Sequence, residues 1–289
     1  MATLGEVLRD ARDELAKAGI EDARIEAEVL LCHALGVTRE ALFARLREPL
    51  PDAAPFAALI RRRLAHEPTA YIAGHREFYG LDLLCTPDAL IPRPETELLV
   101  ELALDWVRGQ GSGVKAGVAG RGSRVADVGT GNGTIAVVIA VHAPQARVVA
   151  IDTSRVALAL ARRNAERHGV AGRVEFVQAS LLSALRGPFD VVAANLPYVS
   201  DEECARAPPE IRDWEPEAAL RGGAMGTELI EALLLQAGAC LAPGGLLLAE
   251  HAWNQGERLR AAALAALPSA RIETQRDLAG EERVLVVAR

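Results

Sequence analysis

Two short strings in this chain combine residue types and spacings suited to chemistry. Asn195-Leu196-Pro197-Tyr198 closes the apolar run Phe189-Asp190-Val191-Val192-Ala193-Ala194. Upstream, Arg124-Val125-Ala126-Asp127-Val128 opens into Gly129-Thr130-Gly131-Asn132-Gly133. Glycines let a backbone turn tightly and approach a ligand with no Cβ in the way. At a strand-to-helix turn they suit a nucleotide-like cofactor. In the second string, the Asn195 side-chain oxygen and the Leu196 backbone carbonyl are acceptors for N–H groups. Pro197 has no N–H to compete and holds Leu196 extended, and Tyr198 offers a flat wall. The combination suits methyl transfer to a planar nitrogen, such as an amide or a base amine. An amide nitrogen is a feeble nucleophile, so it must be positioned and its N–H groups engaged as the new bond forms.

The glycine string by itself is a general signal. The full dinucleotide fingerprint would need glycine at position 134, where this chain has Thr134. Asp152, closing the next apolar run, sharpens it, since a carboxylate there can accept from ribose hydroxyls or can cap the following helix together with Ser154. Asp127 either receives an ammonium group or stabilises the turn.

The elements that must hold these residues follow from periodicity. Leu4, Val7, Leu8, Ala11 and Leu15 recur at helical spacing, and Gly19 stops the segment. Ile25 to Leu35 marks a second helix ended by Gly36, Thr38 starts a third through Leu46, and Phe56 to Leu64 a fourth. The run Arg61-Arg62-Arg63 on that fourth helix reads as a solvated face or as a patch for an acidic partner or RNA. Aromatics, alternation and glycines over Tyr71-Ile72-Ala73-Gly74 and Glu77 to Leu84 suggest a β-hairpin. Pro94 suits the first turn of a helix carrying Leu98 to Trp106. Gly109 to Ser123, rich in Gly, Ser and Ala, reads as a loop.

From Arg124 strands and helices alternate. Strands are expected at 125–128, 147–151, 174–177, 189–194 and 246–249, with two more near 270–276 and 283–288. Helices are expected at 134–141, 154–168, 227–240 and 255–266, and a polar loop at 200–223. This is an α/β, Rossmann-like, mostly parallel sheet with one antiparallel edge strand from the final hairpin, and its ligands belong at the C-terminal strand ends. The organisation expected is a helical domain over 1–70, a hairpin linker over 71–92 and a catalytic domain over 93–289.

Composition excludes several classes. Half of the 289 residues are hydrophobic, ample for a core, and the net charge of −7 disfavours non-specific nucleic-acid binding. The four cysteines have no C-x-x-C pairing and the six histidines no ligand spacing, which points to free thiols in a reducing compartment and to no metal. The charged first 20 residues exclude a secretory signal, and no apolar run is long enough to span a membrane. A cytoplasmic monomer is expected.

Further strings narrow the reading: Arg76-Glu77-Phe78-Tyr79-Gly80, Ile91-Pro92-Arg93-Pro94-Glu95-Thr96-Glu97, Glu215-Pro216 with Ala219-Leu220, and Glu250-His251. An acidic residue before G-x-G-x-G, with a second acidic residue on the next strand, resembles the S-adenosylmethionine (SAM) site of class I methyltransferases. In their order, with Asn195 to Tyr198, the strings resemble the HemK/PrmC family over nearly the whole chain. That family methylates N5 of the glutamine in the Gly-Gly-Gln loop of class 1 peptide chain release factors, modulating translation termination.

The resemblance implies catalytic roles for Asn195, Leu196, Pro197 and Tyr198. It implies SAM contacts (S-adenosylhomocysteine as product) from Gly129, Thr130, Gly131, Asn132, Gly133, Asp152, Leu181 and Asn195. It also implies a helical domain that helps grip the protein substrate. Two positions depart from the family pattern. Leu196 replaces the usual first proline, and Ser180 stands where relatives place Asp near the adenine. Arg93, flanked by prolines, is a candidate for shaping the substrate entrance or for an ion pair with Glu95 or Glu97. The competing readings are a nucleic-acid adenine N6-methyltransferase, whose motif Asn-Leu-Pro-Tyr also resembles, a ribosomal-protein glutamine methyltransferase, and a non-catalytic SAM-binding protein. The acidic charge disfavours the first, the Ile91–Glu97 string the second, and intact Asn195 and Tyr198 the third.

Overall fold

The computed structural model describes residues 1–109 and 122–289. Most of the glycine-rich stretch expected as a loop, residues 110–121, lies outside them. The described chain forms two compact units, residues 1–75 with 208–214 and residues 76–207 with 215–289.

In the first unit, helices α1 (Leu4–Lys17), α2 (Ala23–Leu35), α3 (Arg39–Ala44), α4 (Ala54–Leu64) and α5 (Thr69–Ala73) close around Leu15, Leu30, Leu31, Leu42, Phe56 and Ile60. Their boundaries follow local chemistry. Thr3 and Glu6 form a capping box ahead of α1, and Gly36 ends α2 in the left-handed region at φ 63°. The hairpin expectation fails over Tyr71 to Ala73, which are buried in α5, because their apolar side chains complete the helical core. The arginine run is also resolved. Arg62 pairs with Glu67, while Arg63 is buried and ion-paired to Glu26 and to Glu210. Arg63 is therefore consumed inside the unit, while Arg61 and Arg62 stay exposed, so the solvated-face reading holds for two of the three residues.

The second unit begins at Arg76, one residue into the hairpin β1 (His75–Phe78) and β2 (Leu81–Leu84), and continues with α6 (Thr96–Val107). The alternation follows as expected: β3 (Arg124–Val128), α7 (Thr134–His142), β4 (Arg147–Asp152), α8 (Arg155–Arg167), β5 (Val174–Gln178) and β6 (Phe189–Ala194). The segment expected to be a bare polar loop carries a parallel pair, β7 (Val199–Ser200) and β8 (Arg221–Gly223), with two short helices between them in sequence, α9 (Asp201–Arg206) in this unit and α10 (Pro209–Arg212) in the first. Ser200 with Glu203 is a capping box that starts α9, a helix signal inside a proline-containing stretch. The chain then runs through α11 (Glu228–Cys240), β9 (Leu241–Glu250), α12 (Gly256–Ala266), β10 (Arg271–Arg276) and β11 (Glu282–Ala288).

The seven-stranded sheet has the order β10-β11-β9-β6-β3-β4-β5. β3, β4, β5, β6 and β9 are parallel, and the final hairpin supplies the antiparallel element, with β11 one place in from the edge. Strand residues alternate between two apolar layers. Val191 and Ala193 face the layer containing Leu99, Leu104 and Ile139, whereas Val192 and Ala194 face that containing Ile230, Leu233 and Leu259. Burial on both faces is why these strands read as unbroken apolar runs.

Register places the chemistry. Val128 of β3 lies opposite Ile151 of β4 on one side and Ala194 of β6 on the other, and Ala194 in turn lies opposite Ala249 of β9. The residues that follow, Asp152, Gly129, Asn195 and Glu250, therefore form one row along the C-terminal edge of the sheet. The direction of strand addition reverses between β3 and β6, where open α/β sheets hold their ligands.

Candidate active site

A cavity of about 290 Å³ lies over this row. It is lined by Gly129, Thr130, Gly131, Asn132, Asp152, Leu181, Asn195, Leu196 and Pro197 among the residues singled out from sequence, and also by Arg93, Thr96 and Ser180. Gly133 and Tyr198 lie outside that lining.

The glycines are required by geometry. Gly129 has φ 77°, and a Cβ on it would sit 2.9 Å from Leu196 Cδ2. The two motif turns are thus in van der Waals contact only because Gly129 has no side chain. At Gly131 (φ 55°) a Cβ would meet nothing nearer than Ala89 Cβ at 3.9 Å, so the cavity stays open along the turn. Gly133 lets α7 approach α8, since a Cβ there would press on Ala161 at 3.0 Å.

Asp152 is oriented by two backbone donors. Ser154 N donates to Oδ1 at 2.8 Å and Gly131 N to Oδ2 at 2.9 Å. Ser154, not Asp152, supplies the side-chain cap of α8, accepting from Ala157 N at 3.2 Å. The carboxylate keeps lone pairs for hydroxyl donors in the cavity it lines.

Thr130 and Asn132 spend their side chains on the protein itself. Thr130 Oγ1 donates to Asp127 Oδ2 at 2.6 Å, and Asn132 accepts from Thr134 Oγ1 at 2.6 Å while donating to Leu84 O at 3.2 Å. Their contribution to the cavity is shape and backbone.

Asp127 is fully buried and absent from the cavity lining, with Oδ2 also accepting from Ala136 N at 2.9 Å. It stabilises the turn. Burial pushes its carboxyl up from 3.8 to about 7, against the hydrogen bonds from Thr130 and Ala136. The folded protein therefore keeps a proton that the unfolded chain releases near 3.8. The stability linked to that proton is complete below 3.8 and declines until the folded group ionises near 7, an effect on the order of a few kcal/mol. Asp127→Asn is expected to flatten the fall in melting temperature between pH 4 and pH 8. Thermal scans of both proteins without ligand check it, and parallel profiles would refute it.

Asn195 is held by a polar relay that reaches under the cavity. Its Nδ2 donates to Thr96 Oγ1 at 2.9 Å, Thr96 Oγ1 donates to Glu250 Oε2 at 2.7 Å, and Tyr198 OH donates to Glu250 Oε1 at 3.0 Å. Among the described residues no donor reaches Asn195 Oδ1 or the Leu196 carbonyl. Glu250 is wholly buried, and that burial raises its pKa against the hydrogen bonds from Thr96 and Tyr198 and the charge of Arg283. Burial, with the charge of Glu250 and the hydrogen bond to it, also raises that of Tyr198, which stays a phenol and a donor.

The Tyr198 hydroxyl is thus anchored on Glu250. The turn is also clamped from outside. Gln255 Nε2 donates to Tyr198 O at 2.8 Å, and Gly222 and Gly226 lie flat against Pro197 and Tyr198.

Arg93 pairs with Glu215, not with Glu95 or Glu97, and Glu215 also accepts from Ile91 N at 3.2 Å. Glu215 is nearly inaccessible while Arg93 lines the cavity, so the buried acid fixes the stiff segment at the mouth. Thr96, Glu250 and Glu215 received no role from sequence reasoning, although all three fall within the strings quoted above. The partner of each is distant in sequence, and only the fold brings them together. Among the described residues no cluster of ligating side chains could hold a metal ion, and no helix is long and apolar enough to cross a membrane.

The chain is similar to known proteins in sequence and in fold. The model of the PrmC N-terminal domain matches residues 6–74, and a methyltransferase-domain model matches residues 119–280. The release factor glutamine methyltransferase of Nitratidesulfovibrio vulgaris is 40% identical over 296 residues, covering 100% of this chain and 96% of the relative. That of Moorella thermoacetica is 39% identical, covering 99% of each. Among solved structures, a methyltransferase from Pyrococcus furiosus aligns with a TM-score of 0.52 at 17% identity, covering 82% of this chain and 98% of that one. The catalytic domain of hMettl16 aligns with 0.56 at 15% identity, covering 76% and 80%. The two structures are likenesses of fold.

Proposed function

The chain belongs to the release factor glutamine methyltransferase family, and on that premise we propose that it transfers a methyl group from SAM to N5 of the glutamine in the Gly-Gly-Gln loop of a class 1 release factor. The observation that carries this reading is the pair of open acceptors, Asn195 Oδ1 and the Leu196 carbonyl, set beside the Gly129 turn on one row of the sheet.

The cavity suits SAM. Gly129 and Gly131 leave backbone where side chains would intrude, Asp152 presents an oriented carboxylate for ribose hydroxyls, and Leu181 and Ser180 line the wall. When bound, SAM supplies an electrophilic methyl group. The chain's own part is to hold the acceptor. A glutamine side-chain amide has two N–H groups and a delocalised lone pair. Asn195 Oδ1 and Leu196 O accept one N–H each, which fixes the nitrogen and favours loss of a proton as its new bond forms. Pro197 keeps the Leu196 carbonyl aimed. Arg93, braced by Glu215, shapes the entrance. Residues 1–70 are proposed to help grip the release factor, and the enzyme to act as a cytoplasmic monomer.

The test is incubation with radiolabelled SAM and, separately, a release factor and ribosomal RNA. Label is expected on the release factor and lost when the Gly-Gly-Gln glutamine is replaced. Label on RNA alone would favour an adenine N6-methyltransferase.

A further inference from the structure

We infer that Thr96 and Glu250 are positioning residues that set which end of the Asn195 carboxamide faces the cavity. This deepens the proposed function and rests on it, because it concerns the oxygen that would receive the substrate N–H.

A carboxamide has a donor end and an acceptor end of nearly equal shape, so packing alone does not choose between its two orientations. Here the choice is made by counting protons along the relay. Glu250 takes one hydrogen bond on each oxygen, from Tyr198 at Oε1 and from Thr96 at Oε2. Thr96 has a single hydroxyl proton, and that proton is committed to Glu250. Its oxygen is left as an acceptor, so the group of Asn195 facing it must be the NH2. The Oδ1 is thereby turned toward the cavity that Asn195 and Thr96 both line. With the relay reversed or cut, the carboxamide can present its NH2 to a substrate N–H, donor against donor.

The parts are rigid enough for the argument. Thr96 is the first residue of α6 and is buried, Glu250 ends β9 with no exposed surface, and β11 reaches past that end, His251 N donating to Arg283 O at 2.9 Å. Glu250 has no contact with the cavity, so its effect on catalysis must pass through Thr96 and Asn195. A carboxylate buried this deeply is costly unless hydrogen-bonded. Its two bonds run to one residue of the reaction turn and to the residue that holds the other.

The test compares Thr96→Val, Thr96→Ser and Glu250→Gln with the wild type under saturating release factor and SAM. Valine keeps the shape of threonine without the hydroxyl, serine keeps the hydroxyl without the methyl, and glutamine keeps one acceptor and makes the other end a donor, so that either Thr96 or Tyr198 must reverse its hydrogen bond. Thr96→Val is expected to lower kcat roughly 10–100-fold and Glu250→Gln by a smaller factor, with KM for both substrates within about twofold. Thr96→Ser is expected to retain most of the wild-type kcat. Calorimetric SAM titration and circular dichroism confirm a folded, cofactor-competent protein. If Thr96→Val cannot be obtained folded, Thr96→Ala, which also lacks the hydroxyl, is compared with Thr96→Ser in the same way.

Wild-type kcat in Thr96→Val, or equal losses in the valine and serine variants, would overturn the inference. Loss of SAM affinity in step with kcat would do the same. Failure of the wild type to label a release factor would instead remove the functional reading beneath it, so the two failures are distinguishable.

Discussion

Asn195→Ala is expected to lower kcat by roughly 10²–10³-fold, in line with the loss of a preorganised polar group at a reacting centre. SAM affinity should change little. The reason lies in the division of the row at the sheet edge. Asp152 and the glycine turn are organised by bonds among themselves, Gly131 N to Asp152 Oδ2 and Gly129 N to Ile151 O, none of which passes through the Asn195 side chain. Truncation removes the acceptor oxygen and leaves that frame standing. It also releases Thr96, whose hydroxyl still has Glu250 to bond, so no new buried donor is stranded. Single-turnover methylation together with a calorimetric SAM titration separates the two effects. Cofactor affinity lost in a folded variant would contradict this division of roles.

Gly226→Ala is expected to be nearly as damaging, although position 226 does not line the cavity. At φ 75° any L side chain is strained, by about 1–2 kcal/mol. Its Cβ would also strike the Tyr198 carbonyl and come within 2.7 Å of Gln255 Nε2. Backbone cannot yield as a flexible side chain would, so the reaction turn must shift and the Gln255–Tyr198 bond must break. The expected outcome is a kcat reduced by about 10²-fold, since small misplacements are costly in orientation, with a melting temperature several degrees lower. Gly280→Ala is the matched control, with a positive φ of 85° and nothing within 4 Å of its Cβ. It should show strain alone and keep its turnover. Equal turnover in the two variants would mean that the clamp on Tyr198 is catalytically irrelevant.

The sheet was legible from the chain because its parallel strands are buried on both sides and announce themselves as apolar runs ending at glycine or a polar residue. Both motif turns were legible for the same reason, since each begins where such a run stops. What could not be read was pairing across distance. Thr96 looks like an ordinary residue at a helix start and Glu250 like an ordinary strand end; the register Ala194 to Ala249 sets Glu250 beside Asn195, and the packing of α6 on the sheet brings Thr96 between them.

The ion-pair alternative for Arg93 fails on the same account. Its neighbours Glu95 and Glu97 were candidates by proximity, yet its partner is Glu215. The segment around 200–223 defeated composition because its order comes from two strands too short to show periodicity. Tyr71 to Ala73 went wrong because a single helical turn and a strand cannot be told apart over so few residues.

The placing of β11 between β9 and β10 has a consequence for how this domain is assembled. The strand made after both of its neighbours is the one that joins them, so during synthesis β9 waits as an unprotected border and β10 has no partner at all. A chain cut before Glu282 would keep all the glycines and Asn195, yet leave Leu247 to Ala249 facing an open ladder, an invitation to intermolecular pairing. Such a truncation should accumulate as aggregate and not as a weak enzyme.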